Sequence, residues 1–335
     1  MGIRKRVILA ALSILILNLF SLPKISAKEP DTVKMYCQPY IALGPIFIAF
    51  EEGFFKKEGI NLQFVESTSD SEALILLLQG SIDLVELFPT GGLFNAVSAN
   101  KNIKIVAGAD YFEKGNYSAA LAIKGVSENK LDTRNLLMSL KGKKIATKTL
   151  GSLGNYLLES LLKRNGIEPN EFELELMPFP SMVSAIQSGA LDAGALIEPF
   201  ISIIKKKEKV SLVFYGDEFS NTPISYLIYG NNILGKDPDL GVRFMVAYLK
   251  GCKQYRQGKT ERNIEILKKY VKMSESEMRE MDWSAIYPES IFDLRILQDF
   301  QSWLISKGYI ENSIDIKRLF DASFITKAKN ILESK

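Results

Sequence analysis

Three short polar segments, each directly before an apolar helical run, have the composition of an oxyanion-binding site. They are residues 69–71, 90–92 and 151–154. The free N–H groups at a helix N-terminus and the positive end of the helix dipole bind an anion without a charged side chain. Ser, Thr, Asp and Gly are also the ordinary helix-capping residues. The segments therefore predict anion binding by backbone amides, with plain capping as the alternative.

The third segment, with the sequence Gly-Ser-Leu-Gly, is the most specific. Gly151 and Gly154 allow close approach of the backbone to a ligand, and Ser152 offers a hydroxyl. A capped helix has little structural need for two glycines, so for this turn we favour ligand binding over capping. The candidate ligand contacts in the three segments are Ser69, Asp70, Thr90, Gly91, Ser152, Leu153 and Gly154.

Three further side chains are candidates because of where the chain places them. Tyr40 follows the first predicted strand and could form an aromatic wall, and Asn116 lies where the chain changes character between two α/β segments. Met182 opens a predicted helix. Their alternatives are a surface loop for Tyr40 and Asn116, and core packing for Met182, the commoner fate of methionine.

Charged residues near these segments give opposing indications about the ligand. A carboxylate beside a bound anion repels it, so Asp70, Glu86 and Glu198 all count against an anion. Glu198, at the end of the second repeat, is itself a candidate ligand contact, and Glu86, if it faces the cleft, favours a ligand with N–H donors or a positive charge. Such ligands include taurine, an amidine-like heterocycle or a pyrimidine. Asp70 is expected to cap its helix, while Lys148, just before the glycine-flanked turn, favours an anion. Both ligand classes stay open.

Histidine is absent from the sequence. This removes Ser-His-Asp and Cys-His nucleophile chemistry, HExxH zinc sites and the usual general base at neutral pH. We therefore expect a protein that is not an enzyme and that has no catalytic residue, metal site or cofactor.

A repeated segment indicates which elements position the candidates. Residues 71–89 and 181–199 share one plan: a helical run ends at a glycine, an aspartate follows three residues later, and an apolar strand runs to a proline. The matched residues are Gly80 and Gly189, Asp83 and Asp192, and Pro89 and Pro199. Copies 110 residues apart suit two similar α/β lobes with a ligand cleft between them, and the aspartates then serve as turn residues.

The order of predicted elements gives the bounds of the lobes. Strands alternate with helices, which implies parallel pairing. We expect one lobe from residues 28–115 and 223–335 and the other from residues 116–222, joined by two crossover segments that form a hinge. The helical C-terminal tail is expected to pack on the first lobe.

The N-terminus has the pattern of a secretory signal peptide. Basic residues 4–6 precede an apolar run of 14 residues, shorter than the ~20 that span a bilayer, and a polar stretch ends at Ala27. Cleavage near Ala27 leaves 38 of the 42 bases against 39 acids, so the mature chain is nearly neutral. We expect an exported soluble protein with no nucleic-acid partner.

The two cysteines leave an alternative open. Cys37 lies on a predicted strand and Cys252 in a predicted helix. They could pair in an oxidising compartment, or they could be two buried free thiols, since their spacing is not typical of a disulfide framework.

Several motifs, in order and spacing, resemble one known family. They are GFFKKEGI at 53–60, LLQGSIDLVE at 77–86, LKGKKIA at 140–146, GSLG at 151–154 and GALDAGALIEPF at 189–200. Together they resemble the nitrate/sulfonate/taurine group of periplasmic solute-binding proteins. The resemblance implies a type II periplasmic-binding-protein fold and a monomer in the periplasm. It further implies that a small anion resembling a sulfonate, taurine or nitrate is delivered to an ABC permease and its ATPase.

The resemblance also bears on single residues. It implies that Ser152 lies in a ligand-contacting turn, whereas Glu198 belongs to a pattern common in the family and does not identify the ligand. Glu86 stands where the family often has a small residue. The alternative ligand is a pyrimidine or another heterocyclic thiamine-type precursor. A remote alternative is an enzyme like the fungal thiamine-pyrimidine synthases, whose substrate histidine and cysteine-rich motif this chain lacks.

Overall fold

The computed structural model describes residues 29–67, 69–125, 132–288 and 294–334. The predicted signal peptide, residues 1–27, lies outside the described residues. The chain from Asp31 onward forms one compact unit. Within the described ranges, no helix has both the length and the apolar character needed to cross a membrane.

The strands are short and alternate with helices along most of the chain. They are β1 Asp31–Tyr36, β2 Ile60–Val65, β3 Leu84–Leu87, β4 Lys104–Gly108, β5 Asp110–Phe112, β6 Ala119–Lys124, β7 Lys144–Thr147, β8 Glu173–Leu176, β9 Ala193–Ile197, β10 Val210–Phe214, β11 Thr222–Pro223, β12 Tyr226–Tyr229 and β13 Ala285–Ile286.

The α-helices are longest in the C-terminal part. They are α1 Gly44–Glu51, α2 Phe54–Lys57, α3 Asp70–Gln79, α4 Gly91–Ser98, α5 Thr133–Met138, α6 Leu153–Arg164, α7 Phe179–Ser188, α8 Phe200–Lys207, α9 Tyr215–Glu218, α10 Pro238–Tyr255, α11 Glu261–Val271, α12 Glu275–Glu280, α13 Leu294–Ser306 and α14 Ser323–Glu333.

Two five-stranded sheets form the centres of the two lobes. Their strand orders are β2-β1-β3-β12-β4 and β10-β6-β9-β7-β8. β1 pairs in parallel with β2 and β3, and β7 with β8 and β9, as the alternation of strands and helices predicts. β12 and β6, which enter from the opposite lobe, pair antiparallel with their neighbours.

The chain passes between the sheets twice, as predicted. It leaves the first sheet after β4 to enter the second at β6, and leaves the second after β10 to return at β12. The crossovers pair with each other: β11 lies antiparallel to β5, and β13 from the C-terminal region completes a three-stranded sheet. The predicted lobe boundaries, 115/116 and 222/223, fall within these crossovers and stay a prediction.

A left-handed glycine ends the helix in each copy of the repeat. Gly80 follows α3 with φ +74°, and Gly189 follows α7 with φ +80°. An L side chain is strained in this conformation, and glycine is not. The two glycines are therefore needed where the chain turns from helix to strand in each copy of the repeat.

The repeat aspartates have matching contacts, which confirms their predicted role at the turns. Asp83 Oδ2 accepts a hydrogen bond of 2.6 Å from the backbone N–H of Lys34 in β1. Asp192 Oδ2 accepts one of 2.9 Å from the backbone N–H of Lys144 in β7. Each carboxylate thus fixes the turn to the neighbouring strand of its own sheet, away from the ligand candidates.

The C-terminal helices reach both lobes. α10 packs on α1, α2 and α14, and α11 packs on α1. α13 instead contacts α4 and α6: the Phe300 ring lies 5.6 Å from Phe94 and 5.8 Å from Tyr156. Trp303 Nε1 also donates to Glu159 Oε2 on α6, at 3.1 Å. The tail therefore extends beyond the first lobe, on which the sequence predicted it to pack.

Both cysteines are free thiols. Cys252 is fully buried in α10, and Cys37, just after β1, packs at the edge of the same core cluster. The sequence left open a disulfide or two free thiols, and the structure has two free thiols.

Candidate functional site

A pocket between the two sheets is lined by residues of both lobes, and we call it the aromatic pocket. It holds ≈ 50 Å³ that the centre of a water molecule can reach. Polar groups on its wall include Thr90, Thr147 and Ser152. Most of its wall is apolar: Phe88, Phe112, Leu157, Phe179, Tyr215 and Ile224. Pockets of this composition bind the apolar body of a small organic molecule.

A second pocket adjoins the first, and we call it the acidic pocket. It holds ≈ 30 Å³ by the same measure. Its defining residues are Tyr36, Gln38, Tyr40, Glu86, Asp110 and Ser225. The two pockets share Asp70, Phe88, Lys148 and Ile197 in their walls. A solute can therefore extend from one into the other.

An ion pair between the lobes lies where the pockets meet. Lys148, directly after β7, places its Nζ 2.9 Å from Asp70 Oδ2 and 3.0 Å from Oδ1, at the start of α3. Gln38 Oε1 accepts a third hydrogen bond from Nζ at 3.0 Å, and the Tyr36 hydroxyl donates to Asp70 Oδ1 at 3.2 Å. Asp70 is only 7% exposed. The pair is thus well bonded and largely hidden from water.

Two aromatic rings also face the Lys148 ammonium. Nζ lies 5.2 Å from the ring centre of Tyr40 and 5.5 Å from that of Phe179. Both distances are within the range of cation–π attraction. Among the residues that line the two pockets, Lys148 is the only base, and its charge is already matched by Asp70.

The acidic pocket contains two carboxylates, Glu86 and Asp110, and a serine that links the side chain of Glu86 to the backbone of Asp110. Ser225 Oγ donates to Glu86 Oε1 at 3.1 Å, and the backbone N–H of Asp110 donates to Ser225 Oγ at 3.1 Å. Glu86 Oε2 and Asp110 Oδ1 are buried, and neither has a hydrogen-bond partner among the residues that the structure describes. Burial, together with the nearby Asp110, raises the pKa of Glu86 to about 8, and burial raises the pKa of Asp110 to about 7.

Two of the predicted anion-binding helix N-termini bind each other instead. The N–H of Gly91, first residue of α4, donates to Gly151 O at 2.9 Å. The N–H of Leu153, first residue of α6, donates to Pro89 O at 2.9 Å. These bonds form a bridge between the lobes at Thr90 and Ser152. The N–H groups of Gly91 and Leu153 therefore already have acceptors.

Ser152 lines the aromatic pocket, but its hydroxyl caps α6. Oγ accepts from the N–H of Asn155 at 3.2 Å and donates to Thr149 O at 2.7 Å. Gly154 also lines this pocket. The hydroxyl therefore both donates and accepts a hydrogen bond within its own turn. These bonds are the ones expected from helix capping, the alternative to ligand binding.

The first predicted segment divides its roles between two residues. Ser69 is the N-cap of α3, because its side chain accepts from the N–H of Glu72 at 3.1 Å. The prediction that Asp70 caps the helix is wrong, because Ser69 is the N-cap. It is the first helical residue, and its carboxylate is taken by Lys148 and Tyr36.

Tyr40 lies in the site and Met182 does not line it. Tyr40 lines the acidic pocket and packs edge-on against Phe179, with ring centres 5.8 Å apart. Met182 is fully buried in the core of the second lobe, which is the packing alternative.

Asn116 and Glu198 also lie outside both pocket walls. Asn116 fixes the crossover, since Nδ2 donates to Trp283 O at 2.7 Å and Oδ1 accepts from the N–H of Ser118. Glu198 accepts from the N–H and hydroxyl of Ser202 at 3.0 and 2.8 Å, so both its oxygens are bonded. Burial raises the pKa of Glu198 to about 7.

Sequence reasoning missed Asp110, Phe112 and Phe88. Asp110 and Phe112 lie on β5, in the segment where the sequence pattern changes between the lobes. A crossover beside a cleft brings its side chains to the ligand, so that change of pattern was the available signal. Phe88 follows β3 directly, at the strand end where α/β sheets bind ligands.

The chain matches a family model over most of its length. Residues 26–268 match the model of the NMT1-like family. A putative binding protein of Brucella abortus (strain 2308) is 23% identical, over 92% of this chain and 96% of that protein. A putative aliphatic sulfonates-binding protein of Bacillus subtilis (strain 168) is 24% identical, over 86% of this chain and 85% of that protein.

Solved structures show the same fold. The periplasmic nitrate-binding protein NrtA of Synechocystis PCC 6803 superposes with a TM-score of 0.73 at 16% identity, over 92% of this chain and 90% of that chain. The periplasmic aliphatic sulphonate binding protein SsuA of Escherichia coli gives 0.69 at 18% identity, over 89% and 99%. The predicted two-lobe binding-protein fold is confirmed.

Enzymes also occur among the similar proteins. The desulfurization enzyme DSZB superposes with a TM-score of 0.68 at 13% identity, over 90% of this chain and 99% of that chain. The Saccharomyces cerevisiae 4-amino-5-hydroxymethyl-2-methylpyrimidine phosphate synthase THI5 is 26% identical over 46% of this chain and 42% of its own length. The fold alone therefore does not distinguish a binding protein from an enzyme. The residues of the site have to make that distinction.

Proposed function

Because the chain belongs to the NMT1-like family, we propose that it is the solute-binding component of an ABC importer. It captures a small solute between its lobes and passes it to a membrane permease that works with an ATPase. One observation carries the proposal: the walls of the aromatic pocket come from both lobes, so a solute bound there favours their closed arrangement. We place the mature protein in the periplasm as a monomer, after cleavage near Ala27.

The charges in the site favour the second of the two ligand classes predicted from the sequence. Three acids, Asp70, Glu86 and Asp110, line the pockets against the single base Lys148. The N–H groups of Gly91 and Leu153, the first residues of α4 and α6, are already bonded. We therefore propose a solute with a flat apolar body and N–H donors, a class that includes pyrimidines and related heterocycles, rather than a sulfonate-like or nitrate-like anion.

The surroundings of Cys37 support binding rather than covalent catalysis. Burial, with smaller contributions from the nearby Glu86 and Glu66, raises the pKa of this thiol to about 12. A thiolate is the reactive form of cysteine, and this environment opposes its formation. The sequence also has no histidine to act as a base.

The proposal is tested by blocking the aromatic pocket. Ala195 lines it from β9 and is half-buried, so Ala195→Phe fills the pocket without removing a side-chain hydrogen bond. Ser184→Phe, on the exposed face of α7, is the matched control. The mature chain is purified, and its bound solute is released by denaturation and identified by mass spectrometry.

We expect a small solute from the native chain and from Ser184→Phe, and none from Ala195→Phe. Thermal-shift titration with sulfonates, taurine, nitrate and pyrimidines then ranks the ligand classes. If no small molecule is released from, or stabilises, the native chain, the proposed function is wrong.

A further inference from the structure

The two unpaired carboxylate oxygens of the acidic pocket are exceptional for this protein. A buried carboxylate is costly unless it is paired or hydrogen-bonded. Other buried carboxylates in the described residues have such partners: Asp70 has Lys148, Glu198 has Ser202, and Glu159 has Lys307 at 2.7 Å. Glu86 Oε2 and Asp110 Oδ1 have none, although Asp110 is only 5% exposed.

We propose that the acidic pocket is a subsite for a protonated nitrogen of the solute, an ammonium or amidinium group held between Glu86 and Asp110. This inference rests on the proposed function and names a chemical group that the solute must carry. A group with several N–H donors and a positive charge supplies both missing hydrogen bonds and the missing counter-charge.

The surrounding contacts keep the two oxygens available. Ser225 bonds Glu86 Oε1 and the backbone N–H of Asp110, and Ser284 bonds the Asp110 side chain, which leaves Glu86 Oε2 and Asp110 Oδ1 unused. Lys148, which also lines this pocket, is committed to Asp70 and Gln38. No base in the pocket wall is therefore left to neutralise the two acids.

Aromatic side chains complete the subsite. The rings of Tyr36 and Tyr40 lie in the same wall, and aromatic rings attract organic cations. The aromatic pocket continues from this subsite past Phe88 and Ile197. A solute with a flat ring and a basic nitrogen thus fills both pockets at once. Burial raises the pKa of both Glu86 and Asp110, so an unpaired negative charge is unfavourable in this pocket.

The test uses three probes of one shape and different charge: benzamidine (+1), benzamide (neutral) and benzoate (−1). Their affinities for the full mature chain, freed of co-purified solute, are measured by isothermal titration calorimetry at pH 7.5. We expect benzamidine to bind at least about tenfold more tightly than benzamide, and benzoate most weakly, because one charge-assisted hydrogen bond contributes about 1.5–3 kcal/mol.

Two variants assign the preference to the subsite. Glu86→Gln and Asp110→Asn keep the shape of the side chain and remove its charge, and each is expected to lower the preference for benzamidine to less than threefold. Glu113→Gln is the control: Glu113 lies three residues from Asp110 on the same crossover, and its carboxylate accepts from the Tyr287 hydroxyl at 3.1 Å. It should keep the preference of the native chain.

Three binding results overturn the subsite: benzamide or benzoate binding as tightly as benzamidine, a preference that survives in both variants, or no binding of benzamidine at 20 mM. None of these results contradicts the proposed function, provided that the native chain releases a solute and Ala195→Phe does not. A released solute without a basic nitrogen overturns the subsite and leaves solute capture standing. Thermal melts of each variant verify that it is folded.

Discussion

Neutralising Glu86 changes how the stability of the fold depends on pH. The pKa of Glu86 lies at about 8 in the folded chain, against 4.5 ordinarily, because burial and Asp110 oppose its ionisation. Between these two values the folded chain keeps a proton that the unfolded chain releases. Stability from this group is therefore complete below pH 4.5 and is lost as pH rises toward 8.

The size of the loss follows from the same two values. Each pH unit across which the folded chain holds one extra proton costs about 1.4 kcal/mol. Over the window from 4.5 to about 8 this sets an upper limit of about 5 kcal/mol. Glu86→Gln has no proton to lose and keeps the hydrogen bond from Ser225, so it should be more stable than the native chain at pH 8 and not at pH 4.5.

Urea unfolding at half-unit steps from pH 5 to 8, monitored by tryptophan fluorescence, measures this difference. The gap between Glu86→Gln and the native chain should widen steadily with pH. Glu311→Gln, at an exposed carboxylate, is the control and should track the native chain. Parallel curves for the native chain and Glu86→Gln would refute the claim that Glu86 is buried without a counter-charge.

Two further predictions concern the contacts between the lobes. Gly91→Pro removes the N–H that donates to Gly151 O, at a first helical position where proline is favoured, whereas Gly91→Ala keeps it. Small-angle scattering should show a larger radius of gyration for the proline variant alone; equal radii would contradict a role for this bond in closure. Lys148→Met leaves Asp70 buried without its cation and should lower stability by about 3–5 kcal/mol. Adding Asp70→Asn should recover most of that loss in a denaturation-based double-mutant cycle, and additive effects would show that the pair is not coupled.

The features that sequence predicted well are local ones. Gly80 and Gly189 end their helices because the left-handed conformation they adopt favours glycine, and this requirement acts within a few residues. Asp83 and Asp192 follow at fixed distances, so the repeated plan of the lobes is visible in the chain itself. The resemblance to a binding-protein family added the relation between the lobes.

The partners of the site residues were not predictable in the same way. Asp70 has the residue type and the position of a helix cap. Its carboxylate instead binds Lys148, which lies 78 residues further along the chain. Asp110 and Ser225 are 115 residues apart and meet only because the two crossovers return to one sheet. Local patterns identify which residues can cap or bind, whereas tertiary structure decides which of them do.

The division of charge between the lobes links binding to closure. The acids Asp70, Glu86 and Asp110 all precede β6, where the chain enters the second sheet. Lys148 directly follows β7 of that second sheet. The proposed capture of a solute requires the lobes to separate, and Lys148 would then leave Asp70, so that the first lobe presents three carboxylates to the solute. In the proposed subsite, a cation binds Glu86 and Asp110 and leaves Asp70 available for Lys148. We therefore expect capture and closure to use different carboxylates, so that a cationic solute does not compete with the ion pair between the lobes.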